Sequence, residues 1–239
     1  GRPGEEKQPL FALLYRPKMV RLLIDAGADP LALDRAGRDL IENALTYASN
    51  LDLPRLAETV KILLAKGAPI PEDAAARVTR LGENLEFARP NFNSDMIDKV
   101  SAAMDELYAI FDVPPVRPRV LHDGTSRIDV GIDDPDARYH ALFDLLVPAS
   151  GSALTVQGEA IRLTGKLRSE IFRNGGANWN LGFGQLADAL GGFLASGTAV
   201  GDPDELRGLI GRARYSTVDD ATLDALRRWA SDWVAANRK

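Results

Sequence analysis

Apolar residues recur at spacings of three and four along most of the chain, the period of helices with one buried face. Val20, Leu22 and Leu23 mark one run that stops at Gly27, and Val60, Leu63 and Leu64 mark another that stops at Gly67. Glycine just past a last apolar turn readily takes the left-handed conformation that closes a helix. Leu40, Ile41, Ala44, Leu45 and Ala48 give a further helical run, entered through Asp34 to Gly37, which reads as a tight turn. Another helix pair follows, from Pro71 to about Glu86 and from Ser94 to Phe111, with Ser94 and Asp95 as its candidate N-cap. Later periodic segments lie near 136–146, 153–173, 182–195, 203–213 and 218–237, with Ser216 or Thr217 as the candidate cap of the last.

Two stretches align with each other: Val20 to Leu31, containing Leu22-Leu23 and Gly27-Ala28, and Val60 to Ile70, containing Leu63-Leu64 and Gly67-Ala68. Helix pairs repeated in this way cannot bury their apolar faces alone and must stack on neighbours. The pattern, carried by Val20, Leu22, Leu23, Gly27, Ala28, Asp29 and Pro30 and then by Asp34, Gly37, Ala44, Ala48, Val60, Leu63, Leu64, Gly67 and Ala68, resembles the ankyrin-repeat family. The two glycines stand 40 residues apart, against an ankyrin period of about 33. An insertion at Ser49 to Pro54 is its natural explanation. The family's Thr-Pro-Leu-His start is degraded to Gln8-Pro9-Leu10-Phe11 and to Arg38-Asp39-Leu40-Ile41. The resemblance is good over residues 8–70 and weaker over 71–112. The last helix pair reads as the cap of the stack, with membership of the second domain as the alternative. The resemblance implies a non-catalytic protein binder that works through its loop tips, here Asp29 to Arg35, and a concave helix face.

Pro114, Pro115 and Pro118 interrupt the helical pattern. They place a linker at 113–119, between a domain at 1–112 and one at 120–239. The runs Val120–His122 and Thr125–Val130, joined by Asp123-Gly124, carry a β-hairpin signal, with an irregular loop as the alternative. Residues Thr155 to Asn180 resemble small uncharacterised bacterial proteins with a Thr-Val-x-Gly-Glu-x-x-Arg…Asn-Gly…Asn-Trp signature, which brings no activity with it. Val156, Ala160, Leu163, Leu167 and Ile171 form an apolar stripe there. Glu159, Arg162, Lys166, Glu170 and Arg173 form a charged one before Asn174-Gly175 stops the helix.

Composition narrows the function. A net charge of −5 and a pI near 5.2 argue against a general nucleic-acid binder. The absence of cysteine removes disulfides, thiolate nucleophiles and the usual structural zinc sites. His122 and His140 are the only histidines and have no partners for a triad. No stretch approaches the roughly 20 apolar residues of a membrane span. The opening residues carry no apolar signal region, so a cytoplasmic location is expected. Glu159 and Glu170, eleven positions apart, would stand about 16 Å apart on one helix, too far for a glycosidase-like pair. Gly182-Phe183-Gly184 lacks the preceding strand of a dinucleotide fingerprint. The acidic loop of Asp129, Asp133, Asp134 and Asp136 lacks EF-hand spacing. Trp229 and Trp233 share a helix face, which suits core packing or docking.

The sequence therefore describes a mainly α protein, a short ankyrin-like helical repeat stack followed by a small α-rich domain, with no enzyme constellation, no cofactor and no metal site. The expected partner is another protein and not a nucleic acid or membrane. The specific candidate is a basic toxin, which a bacterial immunity protein would neutralise by occlusion. Candidate contact residues are Asp29, Leu31, Asp34, Arg35, Asp129, Asp133, Asp134, Glu159, Arg162, Glu170 and Trp179. The aspartates would steer a basic partner. The alternatives are an adaptor or effector scaffold, and an enzyme or toxin that uses the repeats for targeting.

Overall fold

The computed structural model describes residues 9–238; the opening segment, with Gln8 of the degraded repeat start, and Lys239 lie outside the described residues. The described residues form helices and loops with no strand, in two compact units that divide between Pro118 and Arg119.

The first unit is three successive helix pairs: α1 (Pro9–Ala12) with α2 (Pro17–Asp25), α3 (Leu40–Tyr47) with α4 (Leu53–Ala65), and α5 (Ala74–Ala88) with α6 (Ser94–Phe111). The first helices of the pairs touch in order, α1 to α3 to α5, and so do the second helices, α2 to α4 to α6. One continuous core results, running from Leu10 and Val20 through Leu45, Leu56 and Leu63 to Met104 and Phe111. Polar ties cross the same seams. The buried Thr59 hydroxyl donates to the Leu14 carbonyl at 2.7 Å, and the Tyr15 hydroxyl to the Ala44 carbonyl at 2.9 Å. The chain between α3 and α4 forms a 3-10 turn, Asn50–Asp52, closed by reciprocal bonds between Ser49 and Asp52. Asn50 then reaches across to the Asn84 carbonyl.

Local signals near the helix ends shift by a few positions. Asn93, not Ser94, caps α6 by accepting from Asp95 N. Asp219, not Ser216 or Thr217, caps the last helix by accepting from Thr222 N. Leu22 is 60% exposed, whereas its counterpart Ile62 is buried. The reason is positional: α4 lies between α2 and α6, and α2 lies at the end of the described stack. Val113 and Val116, within the Pro-rich segment, pack on the core of the first unit.

The second unit comprises α7 (Pro135–Leu146), α8 (Val156–Asn174), α9 (Leu181–Leu194), α10 (Pro203–Ala213) and α11 (Asp220–Ala236). Helix α8 packs against α7, α9 and α11, and α11 also packs against α7 and α10. The approach of α8 to α7 requires glycine. A Cβ at Gly158 would stand 2.8 Å from Ala153 Cβ and 3.1 Å from the Leu146 carbonyl, and one at Gly165 would stand 2.7 Å from the Phe143 ring.

The hairpin expected at 120–130 does not form, and the segment is loop. Asp123 turns the chain locally by accepting from Thr125 N, Ser126 N and the Ser126 hydroxyl. The flanking backbone bonds to distant chain instead of to itself, His122 N to the Leu145 carbonyl and Ile128 N to the Arg238 carbonyl. A local Asx turn and two tertiary bonds thus replace the ladder. Arg119 anchors the start of this unit. Its side chain, 3% exposed, donates to the carbonyls of Phe143, Asp144 and Val147 and to the Asp144 carboxylate, at the C-terminal end of α7, where a helix leaves acceptors unsatisfied.

Two substitutions test these seams. Thr59→Val keeps the volume but strands the Leu14 carbonyl, so urea unfolding should show a loss of about 1–3 kcal/mol. Gly158→Val forces α7 and α8 apart and should cost about 1–3 kcal/mol by overpacking. An unchanged midpoint in either variant would contradict the corresponding seam.

Candidate partner-binding surfaces

In the first unit the loop between α2 and α3 is a built projection. Gly27, at φ +97°, closes α2 with bonds from Gly27 N to the Ile24 carbonyl and from Ala28 N to the Leu23 carbonyl. Asp29 accepts from Leu31 N at 2.8 Å, which turns the chain at the tip. Ala32 is buried and pins the middle of the loop, so Leu31 and Leu33 on either side project outward, 52% and 55% exposed. Arg35 is also exposed.

Asp34 holds this loop together. Its carboxylate accepts from Ala36 N, Arg38 N, Arg38 Nε and Asn43 Nδ2, at 2.8–3.0 Å. The Asn43 amide, followed by the Arg38 backbone N–H, holds its carboxyl well below the usual carboxylate range. Asp34 therefore shapes the loop, and its charge is compensated by Arg38 at 2.8 Å. Arg38 also donates to the hydroxyl of Tyr47, which is 60% exposed. From α5, Arg77 binds Glu42 at 2.9 Å, Asp73 at 2.7 Å and the Thr46 hydroxyl. The next inter-pair loop, between α4 and α5, exposes Ile70. Sequence reasoning passed over Leu33, Tyr47 and Ile70. Their only signal was a large apolar residue inside a loop or at a helix end.

In the second unit the acidic loop is largely engaged internally. Asp129 pairs with Arg238 at 2.6 Å and accepts from Gly131 N. Asp134 caps α7 by accepting from Ala137 N. Asp136 pairs with Arg227 at 2.8 Å. Asp133 has an exposed side chain, while its carbonyl accepts from Arg138.

The signature segment of α8 also works structurally. Thr155 caps the helix through Gly158 N. Glu159 takes a two-pronged bond from Arg162, at 2.5 and 2.8 Å, and accepts from Ala153 N at 3.1 Å, so it holds the loop before the helix. Glu170 is 5% exposed and points inward, unlike the rest of the charged stripe. It accepts from Asn174 Nδ2, Asn178 N and Asn178 Nδ2 and so organises the turn after α8. The Asn174 side chain, then the Asn178 backbone N–H, lower its pKa. Asn180 caps α9 through Gly182 N. Trp179 donates to the Arg214 carbonyl and stacks on Phe183 at 4.8 Å. The Asn-Gly…Asn-Trp pattern is thus a helix stop, a turn wrapped on Glu170 and the next helix start.

Each unit carries its own set of the expected contact residues. Asp29, Leu31 and Arg35 share the tip of the α2–α3 loop. Asp129, Asp133 and Asp134 lie before α7, and Glu159 with Arg162 and Glu170 with Trp179 mark opposite ends of α8. Among the described residues no group of three or more His, Asp or Glu side chains gathers to hold a metal, and no helix is long and apolar enough to cross a membrane. No protein family, curated protein or solved structure matches the chain.

Glu170 yields a pH test with a defined sign. Its lowered pKa means that folding favours the carboxylate. Its contribution is complete above the unfolded-chain value of about 4.3 and is lost as the pH falls through the folded-state value. Unfolding of the wild-type chain should become easier over that acid range. Glu170→Gln should be less stable at neutral pH and should flatten this part of the profile; an identical profile would remove Glu170 from the turn.

Proposed function

We propose that the chain is a non-catalytic protein-binding module and that its first unit, an ankyrin-like stack, meets the partner with its inter-pair loop tips. The observation that supports this reading is the α2–α3 loop. Internal polar bonds through Asp29 and Asp34 stiffen it, yet it leaves Leu31 and Leu33 more than half exposed. A stiff loop loses little entropy on binding, and apolar side chains at its tip are suited to act as anchors. Ile70 on the following loop extends the same apolar character. The three helix pairs that touch in order support the repeat reading.

The finer reading is a cytoplasmic bacterial immunity protein that occludes a basic toxin. Its support is the net charge of −5. Of the aspartates expected to steer such a partner, Asp29 and Asp133 have no cationic partner among the described residues, whereas Asp34 and Asp129 are paired internally and Asp134 is spent as a helix cap.

Affinity capture of the full chain from bacterial lysate, at low and high salt, tests both levels. Leu31→Ala combined with Leu33→Ala should leave the fold unchanged and weaken capture at least about tenfold. Asp29→Lys should slow association with a basic partner at low salt and matter less at high salt. Undiminished capture by the double leucine variant would overturn the tip as the site. A captured partner that is not a toxin, bound without salt dependence, would overturn the immunity reading alone.

A further inference from the structure

The two ends of the helical stack differ. On α6, the last helix, the exposed stripe of Asp98, Lys99, Ala102, Asp105 and Glu106 holds no large apolar side chain, as the outer face of a terminal repeat requires. On α2, at the other end of the described stack, Met19 is 42% and Leu22 is 60% exposed. Their counterparts, 40 positions on in α4, are Thr59 and Ile62. Both are buried. Thr59 bonds to Leu14 of the preceding helix pair, and Ile62 lines one hollow with Arg21 and Asp25 of α2. The positions that receive a neighbouring pair on α4 are therefore open on α2.

The residues around Leu22 are complementary to a second copy of themselves. A helix turns once in 3.6 residues and rises about 1.5 Å per residue. Lys18 and Asp25 thus flank Leu22 on one side, about 6 Å before it and about 4.5 Å after it, and Met19 and Ala26 flank it on the other side. A two-fold axis at Leu22 that sets two α2 helices antiparallel keeps each side together and reverses its order. Lys18 of one copy then lies level with Asp25 of the other, and Met19 with Ala26. Each pair occurs twice, as an isologous contact demands. All four flanking residues are exposed. Lys18 has no ionic partner among the described residues, and Asp25 meets Lys66 at 3.2 Å. Within one helix Lys18 and Asp25 stand about 10.5 Å apart, so they can pair with each other only between copies.

We propose that the chain forms a two-fold dimer through α2, with Leu22 against Leu22 of the second copy and reciprocal Lys18–Asp25 ion pairs beside it. This contact uses the outer face of a helix, whereas the partner surface proposed above uses the tip of the loop that follows.

Sedimentation of the full chain over a range of concentrations tests the dimer. The wild-type chain should pass from monomer to dimer as concentration rises. Leu22→Glu, at an exposed position, should keep the urea midpoint and weaken the dimer more than about tenfold. Lys18→Glu sets acid against acid across the two-fold axis, and Asp25→Lys sets lysine against lysine. Each alone should weaken the dimer by about threefold to tenfold. An equimolar mixture of these two variants restores both pairs, because each chain supplies the charge that the other lost, and should dimerise as the wild type does. Leu31→Ala combined with Leu33→Ala should leave the dimer intact, which separates it from the partner surface. A chain that is monomeric at every concentration, a dimer indifferent to Leu22→Glu, or a mixture no better than its components overturns the proposal. A chain that dimerises only after removal of residues 1–8 also overturns it, by making those residues the native cover of α2.

Discussion

In the first unit no helix pair encloses its own apolar side chains, and everything else in that unit follows from this. Val20 and Leu45 reach full burial only because α1 and α2 stand against α3 and α4, and Leu63 only because α4 lies between α2 and α6. The same constraint explains Leu22, which repeats the position of Ile62 yet remains exposed at the end of the described stack. Hydrophobic burial is non-directional, so the direction of stacking falls to sparse polar ties. Thr59 to Leu14, Tyr15 to Ala44 and Arg77 to Glu42 each join two neighbouring pairs.

The second unit meets the burial requirement differently, by surrounding α8. A helix with neighbours on three sides must come close to each, and Gly158 and Gly165 allow the approach to α7. Charged groups then serve as internal fasteners. Arg119 gathers the end of α7, Glu159 holds the loop before α8, and Glu170 gathers the turn after it. Arg119 satisfies carbonyls that the end of α7 leaves open, whereas Glu159 and Glu170 each accept from the N–H of a loop residue.

What remains available on each unit has a distinct chemical character. The first offers apolar side chains on stiff loops beside a polar network on α3 and α5, a surface suited to another macromolecule. The second offers a half-open, largely apolar cavity between α9 and α10. The two features arise from different residues and stand or fall separately.

The sequence by itself determined where helices form and where several of them stop. Apolar periodicity, and glycines such as Gly27, Gly67 and Gly175, act within a few residues of chain, and the helical segments of both halves lie within a few positions of those expected. Tertiary structure alone decided which polar and apolar groups are free. Asp34 and Glu170 resemble solvent-facing acids until Asn43 and Asn178 fold onto them. The 120–130 segment has the composition of a hairpin, but its backbone finds Leu145 and Arg238, far along the chain. Helix periodicity is a property of adjacent residues, whereas exposure and hydrogen-bond satisfaction depend on partners brought together only when the helices pack.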